Sequence, residues 1–125
     1  MFELTIKDQV YQFNFGMGFL REINKKVSTP IDKLPDVRQN IGLRFYVSRI
    51  IDKDAEALVD VLEMANKGEK PRITRDILDS HVDSEDTDID SLFGEVMGFL
   101  KKANATKNVV KMLVEALDEA EKKQE

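Results

Sequence analysis

The run from Asp54 to Asn66, DAEALVDVLEMAN, limits what this chain can become more than any other stretch. Ala55, Leu58, Val59, Leu62 and Ala65 recur at helical spacing, and Glu56, Asp60, Glu63 and Lys67 form a narrow polar stripe opposite them. Ala57, Val61 and Met64 fill the angle between, so the helix is apolar around most of its circumference. Such a helix must be covered on more than one side, which predicts a central helix in a small helical core. Asp54 is placed to cap its free N–H groups, and the Asn66-Lys67-Gly68 step supplies the stop. Burying Leu58, Val59 and Leu62 is worth roughly 1.5 to 3 kcal/mol each.

A chain of 125 residues can enclose one core of that kind and is too short for two ordinary domains. It has no cysteine, which excludes disulfides, thiolate metal sites and cysteine nucleophiles and fits a reducing compartment. Charge is uneven: residues 1–53 carry nine Lys/Arg against six Asp/Glu, and residues 54–125 carry ten against eighteen. An excess of acid argues against nucleic acid as the main ligand, because neutralising phosphates requires a clustered basic face. No signal-peptide pattern opens the chain and no apolar run approaches bilayer length, so a soluble intracellular protein without membrane contact is expected.

Around the central helix, Phe2–Lys7 alternates apolar and polar residues, and Val10–Phe15 resumes the alternation after Asp8-Gln9. This predicts a β-hairpin over residues 1–15, its apolar face lying on helices because an isolated hairpin is marginal in water. Gly16-Met17-Gly18 breaks the pattern, and Leu20, Ile23 and Val27 predict a first helix over Phe19–Val27. Ser28–Pro35, with a proline near each end, reads as a connector, and a second helix is expected from about Asp36 through Ile51. The short Asp52-Lys53-Asp54 link makes it an antiparallel neighbour of the central helix. Thr74 is a good N-cap for a fourth helix, with Ile73 and Leu78 placed as a hydrophobic staple. Thr87 and Asp90 have the spacing of a capping box for a fifth, which presents Ile89, Leu92, Phe93, Val96, Leu100 and Ala103 on one face. An amphipathic helix from Thr106 to about Lys122 closes the chain, with an uncapped, charged end that should fray. The expected fold is α+β and predominantly α-helical: one domain over 1–125, with the hairpin at 1–15, a helical core at 16–104 and a C-terminal amphipathic helix at 105–125, five to six helices in all.

Little in this chain could carry chemistry. His81, the only histidine, sits among apolar positions with no nucleophile elbow nearby, so it reads as structural or surface. Laid from Ser84, the acidic run 83–90 offers Asp86, Asp88 and Glu95 at calcium-ligand positions, but Ile89 stands where the loop needs glycine. A solvated loop with helix-capping acids is the better reading. Gly16-Met17-Gly18 lacks the third glycine and the Lys-Ser/Thr pair of a phosphate loop. No catalytic residue, cofactor or metal is therefore expected, and the chain is expected not to be an enzyme. Spare apolar residues remain: Met97, Phe99, Met112 and Val114 beside the main stripes, Met17 and Phe19 extending the first helix, and Leu113 and Leu117 on the stripe of the last. Each could complete the core, but together they exceed what a small domain has room to bury. Met17, Phe19, Met97, Phe99, Met112, Leu113 and Leu117 are the candidate partner-binding residues, forming an exposed groove or a self-association face.

The hairpin, Phe19–Asn24, Asp54–Leu62, Pro71-Arg72-Ile73-Thr74 and Asp88–Lys101, in that order, resemble the tail assembly chaperones of long-tailed, siphovirus-type phages and prophages of Gram-positive bacteria. The resemblance covers nearly the whole chain and rests on patterns of ordinary residues. It implies a protein of the host bacterial cytoplasm, absent from the mature virion, that binds the long helical tape measure protein and keeps it soluble while tail tube subunits assemble. It further implies a frameshifted longer version, whose extra domain recruits tail tube protein, with this chain as the short product. The Lys122-Lys123 codons would suit an A-rich slippery site. Self-association into a ring or spiral would fit the task. The alternative from the residues alone is a non-enzymatic helical interaction or regulatory adaptor of phage or bacterial origin.

Overall fold

The computed structural model describes residues 1–124. In chain order the elements are β1 (Phe2–Ile6), β2 (Gln9–Phe13), α1 (Met17–Asn24), β3 (Ser28–Ile31), β4 (Leu34–Asn40), α2 (Gly42–Ile51), α3 (Ala55–Asn66), α4 (Arg75–Asp83), α5 (Ile89–Lys102) and α6 (Lys107–Gln124). The class is α+β and mainly helical, as the periodicities predict, with two separate two-stranded antiparallel sheets instead of one.

Helix α3 is the centre. Ala57, Leu58, Val59, Val61, Leu62, Met64 and Ala65 are all buried, and the Asp54 carboxylate accepts a hydrogen bond from the Ala57 N–H at 3.3 Å. The polar stripe forms the ion pairs that hold α4: Arg75 reaches Asp60 at 2.9 Å and Glu63 at 3.3 Å. Gly68, at φ +87°, ends the helix in a backbone conformation that favours glycine. The last turn is fastened by Asn66, which is fully buried. Its amide nitrogen donates to the Gln12 and Pro71 carbonyls (2.9 and 3.3 Å), and its oxygen accepts from Arg72 Nη1 and the Ile73 N–H (3.0 and 2.7 Å). Beside it the Asn14 N–H donates to the Ala65 carbonyl at 2.8 Å, so β2 and the 71–73 turn are both tied to one end of α3.

The first hairpin pairs Phe2 with Phe13 and Ile6 with Gln9. Its two-residue turn is Lys7-Asp8, at φ 50° and 68°, one residue earlier than the Asp8-Gln9 expected from the sequence. Two consecutive positive φ values match the right-handed twist of the flanking strands, and Asp tolerates that region. Phe2, Ile6, Tyr11, Phe13 and Phe15 point into the core.

Residues 28–40 depart from expectation. Neither a connector nor a helix from Asp36 is present; β3 and β4 form a hairpin arm between α1 and α2, turned at Asp32-Lys33 with Lys33 at φ 67°. Every residue of β4 is exposed. The Ile41 N–H donates to the Val27 carbonyl at 2.9 Å at the arm's root. Given the register Ser28↔Asn40, Thr29↔Gln39, Pro30↔Arg38, the backbone groups of Ser28 and Pro30 then face away from β4. Pro30 thus lacks an N–H only where a foreign strand would use one. Arg38 takes the outward Ser28 carbonyl (2.9 Å) and the Ser28 hydroxyl (2.9 Å), and the register shift at Pro30/Ile31 leaves Pro35–Val37 bulging from the other strand. Both edges are therefore guarded against strand addition.

Helix α1 runs from Met17 to Asn24, shorter at its C-terminal end than the expected Phe19–Val27, and buries Phe19 and Ile23. Helix α2 starts at Gly42 without a cap from its own sequence; Asn24 of α1 supplies one, its Oδ1 accepting from the Leu43 N–H at 3.0 Å. Here the two helices touch backbone to backbone. A Cβ on Gly42 would lie 1.6 Å from the Ile23 carbonyl oxygen. Thr74 caps α4 by accepting from the Ile77 N–H, with Ile73 and Leu78 buried as the staple requires. Helix α5 is capped by Asp88 and not by Thr87: Asp88 accepts from the Ser91 N–H at 3.1 Å and from its hydroxyl at 2.9 Å. Thr87 instead donates to the His81 carbonyl at 2.6 Å, closing α4. Thr106, fully buried, joins α5 to α6 by donating to the Leu100 carbonyl at 2.6 Å.

Candidate interaction surface

The buried aromatic residues of the first hairpin reach the surface of the core where it meets α5, beside the half-exposed Met17 and Phe99. Phe2 and Phe13 stack at 5.5 Å, Phe15 meets Phe19 edge-on at 5.1 Å, and Phe99 lies 5.1 Å from Phe2 and 6.3 Å from Phe15. Phe2, Phe13, Phe15 and Phe99, with Met1, Met17 and Ala103, line an open groove of about 580 Å³. Met17 is 51% exposed and Phe99 38%, so two candidates lying far apart in sequence share one apolar surface. Phe19 does not join them: at 4% exposure it is a core residue beneath the groove. Its neighbour Leu20, assigned to the core stripe, is only partly buried. The buried pair on α1 is Phe19 and Ile23, at i and i+4, in place of the expected Leu20 and Ile23 at i and i+3.

The remaining candidates sit elsewhere. Met97 and Leu113 are partly buried against the core, whereas Met112 (49%) and Leu117 (41%) are exposed on α6. Pattern reading missed five exposed apolar residues: Met1, Val10 on β2, Leu34 and Val37 on the arm, and Phe45 on α2, under the Arg49 guanidinium at 5.4 Å. Leu34 is hidden by the prolines that make its segment read as a connector, and Val37 by the helix expected from Asp36.

Among the described residues no group of three His, Asp or Glu side chains is placed to hold a metal ion, and every buried side-chain nitrogen or oxygen has a hydrogen-bond partner. The acidic run is divided between a loop and the α5 cap, where the hydrogen bonds from Ser91 hold the Asp88 carboxyl below its ordinary value. Glu22 is lowered by its hydrogen bond and ion pair with Lys67 at 2.9 Å. No described helix is long and apolar enough to cross a membrane.

The His81 side chain is partly buried, and pH can read that burial. Burial pushes its imidazole below the ordinary 6.5, favouring the neutral ring in the folded chain. Below that value the unfolded chain takes up a proton that the folded chain resists, so stability is expected to fall as pH drops from neutral through this range. His81→Gln should flatten that part of the curve, as measured by urea unfolding on either side of the ordinary value. An unchanged slope would assign it to other groups.

The groove, the tip of the arm and the outer part of α6 expose apolar side chains. No curated protein and no solved structure matches the chain. The family model described as phage tail assembly chaperone protein, TAC, matches residues 3–115, from the first strand into the first half of α6. The chain belongs to the phage tail assembly chaperone family.

Proposed function

We propose that this chaperone works without chemistry, holding the tape measure protein of a siphovirus-type phage or prophage soluble in the host bacterial cytoplasm until tail tube subunits enclose it. The observation that carries the reading is the open groove of Phe2, Phe15, Met17 and Phe99, apolar and floored by packed rings. A preformed apolar groove accepts the apolar stripe of a client helix, and flexible methionines adapt to stripes that vary along a long client. Many copies on one client hold it by avidity while each contact stays weak enough for tube subunits to displace. In this scheme a frameshifted longer version recruits the tube protein, and the chaperone is absent from the finished virion.

The test is co-expression with the long helical tape measure protein. The wild-type chain is expected to keep that protein in the soluble fraction. Met17→Glu and Phe99→Glu place a charge in the groove and should return it to the pellet. Met17 is half exposed, so its variant should keep the wild-type circular dichroism and melting temperature. A client that stays soluble with Met17→Glu, or that gains nothing from the wild type, would overturn the reading.

A further inference from the structure

The groove takes most of its walls from two stretches of chain, and neither contains an acid. Residues 9–21 run from β2 into α1 and residues 96–114 from α5 into α6, and together they hold five Lys/Arg and no Asp or Glu. The other 93 residues hold all 24 acids and only fourteen Lys/Arg. An acidic chain is therefore free of acid where its apolar groove lies.

Four lysines gather at one end of that groove. Lys102 is the only charged side chain in its lining, and Lys101, Lys107 and Lys111 stand together around the adjoining elbow between α5 and α6. All four are exposed, and among the described residues none of them pairs with a carboxylate. Lys101 and Lys102 suit the negative end of α5. The other two work against their own helix: Lys107 opens α6, where the helix end is itself positive, and Lys111 follows at i+4, where like charges repel. Cations that oppose their own helix, beside an apolar groove, are suited to an anionic partner.

We propose that the groove selects client helices whose apolar stripe is flanked by acidic side chains. The surface of Phe2, Phe15, Met17 and Phe99 takes the stripe, and the four lysines take the acids. This inference rests on the groove reading above and adds the charge of the client to it. Lysine fits the task because it is a mobile point charge on a flexible stem, without the fixed fork of arginine. Client segments whose acids are differently spaced can then be held by the same ammonium groups.

Fluorescence anisotropy on the full chain tests it, with three labelled amphipathic peptides that share one Leu/Met stripe and carry Glu, Gln or Lys on its flanks. The Glu peptide should bind at least about tenfold more tightly than the Lys peptide at low salt, with the Gln peptide between, and added salt should close the gap. The formal charge of −5 would by itself rank the peptides in the opposite order, so this ranking reads the lysines and not the whole chain. Lys102→Glu/Lys107→Glu should invert the preference, with circular dichroism verifying the fold. Equal binding of the Glu and Lys peptides, or a ranking unchanged in the double variant, would overturn the proposal, as would a single-stranded oligonucleotide that binds more tightly than the Glu peptide. The Gln peptide separates these outcomes from failure of the groove reading. If it binds the wild type and is lost with Met17→Glu, the apolar groove stands however the charged peptides rank; if no peptide binds, both readings fall.

Discussion

Gly42→Ala is expected to destabilise the fold by at least about 3 kcal/mol, because the added methyl must displace backbone and not a side chain. The Cβ would sit 1.6 Å from the Ile23 carbonyl oxygen and 2.9 Å from the Asn24 Cα. Helices α1 and α2 would have to separate, and separation also breaks the 3.0 Å bond by which Asn24 caps α2. Urea unfolding would show a lowered midpoint with an unchanged slope. Gly94→Ala is the control: nothing lies within 4 Å of its Cβ, so a helical alanine should stabilise by up to about 1 kcal/mol. If the two variants behaved alike, the backbone contact between α1 and α2 would be disproved.

Asn66→Leu should cost about 3 kcal/mol, although leucine is similar in size and more apolar. The amide serves four partners: the carbonyls of Gln12 and Pro71, the Ile73 N–H and the Arg72 guanidinium. Leucine satisfies none of them, and the Ile73 N–H and Gln12 carbonyl would lose their partner next to the core. Asn66→Asp separates charge from shape. The carboxylate still accepts from Ile73 and Arg72 but cannot donate to Gln12 or Pro71, so the loss should be selective. Amide exchange should accelerate at Asn14, whose N–H bonds the neighbouring Ala65 carbonyl, more than in the middle of α3. Uniform acceleration would mean that Asn66 supports the whole fold and not the junction with the hairpin.

What could be read from the sequence was local. The central helix, its Asp54 cap, the Thr74 cap with the Ile73–Leu78 staple, and the alternation of the first hairpin each depend on residues a few positions apart, and each is present. What could not be read depended on residues brought from elsewhere. The start of α2 is set by Asn24, nineteen positions before the N–H it caps, so a search for a local cap fails there. The arm was misread because Pro30 and Pro35 are usually breakers; here one stands where its missing N–H faces outward and the other lies in a bulge. Asn66 looked like an ordinary helix-ending residue, and only the packed hairpin and the 71–73 turn give its amide four partners. The apolar groove was legible in pieces: Met17 and Phe99 could be chosen as spare apolar residues, but that they share one surface depends on Phe2 and Phe15 standing between them.

The guarded edges of the β3–β4 arm matter when molecules crowd. A bare two-stranded ribbon repeated at high density could template fibrils, each copy lending its open amides to the next. With Arg38 holding the Ser28 carbonyl and Pro30 offering no amide hydrogen, neighbouring arms are poorly matched for such stacking. The arm can therefore stand away from the body with Leu34 and Val37 exposed near its tip and still resist ordered stacking against its neighbours.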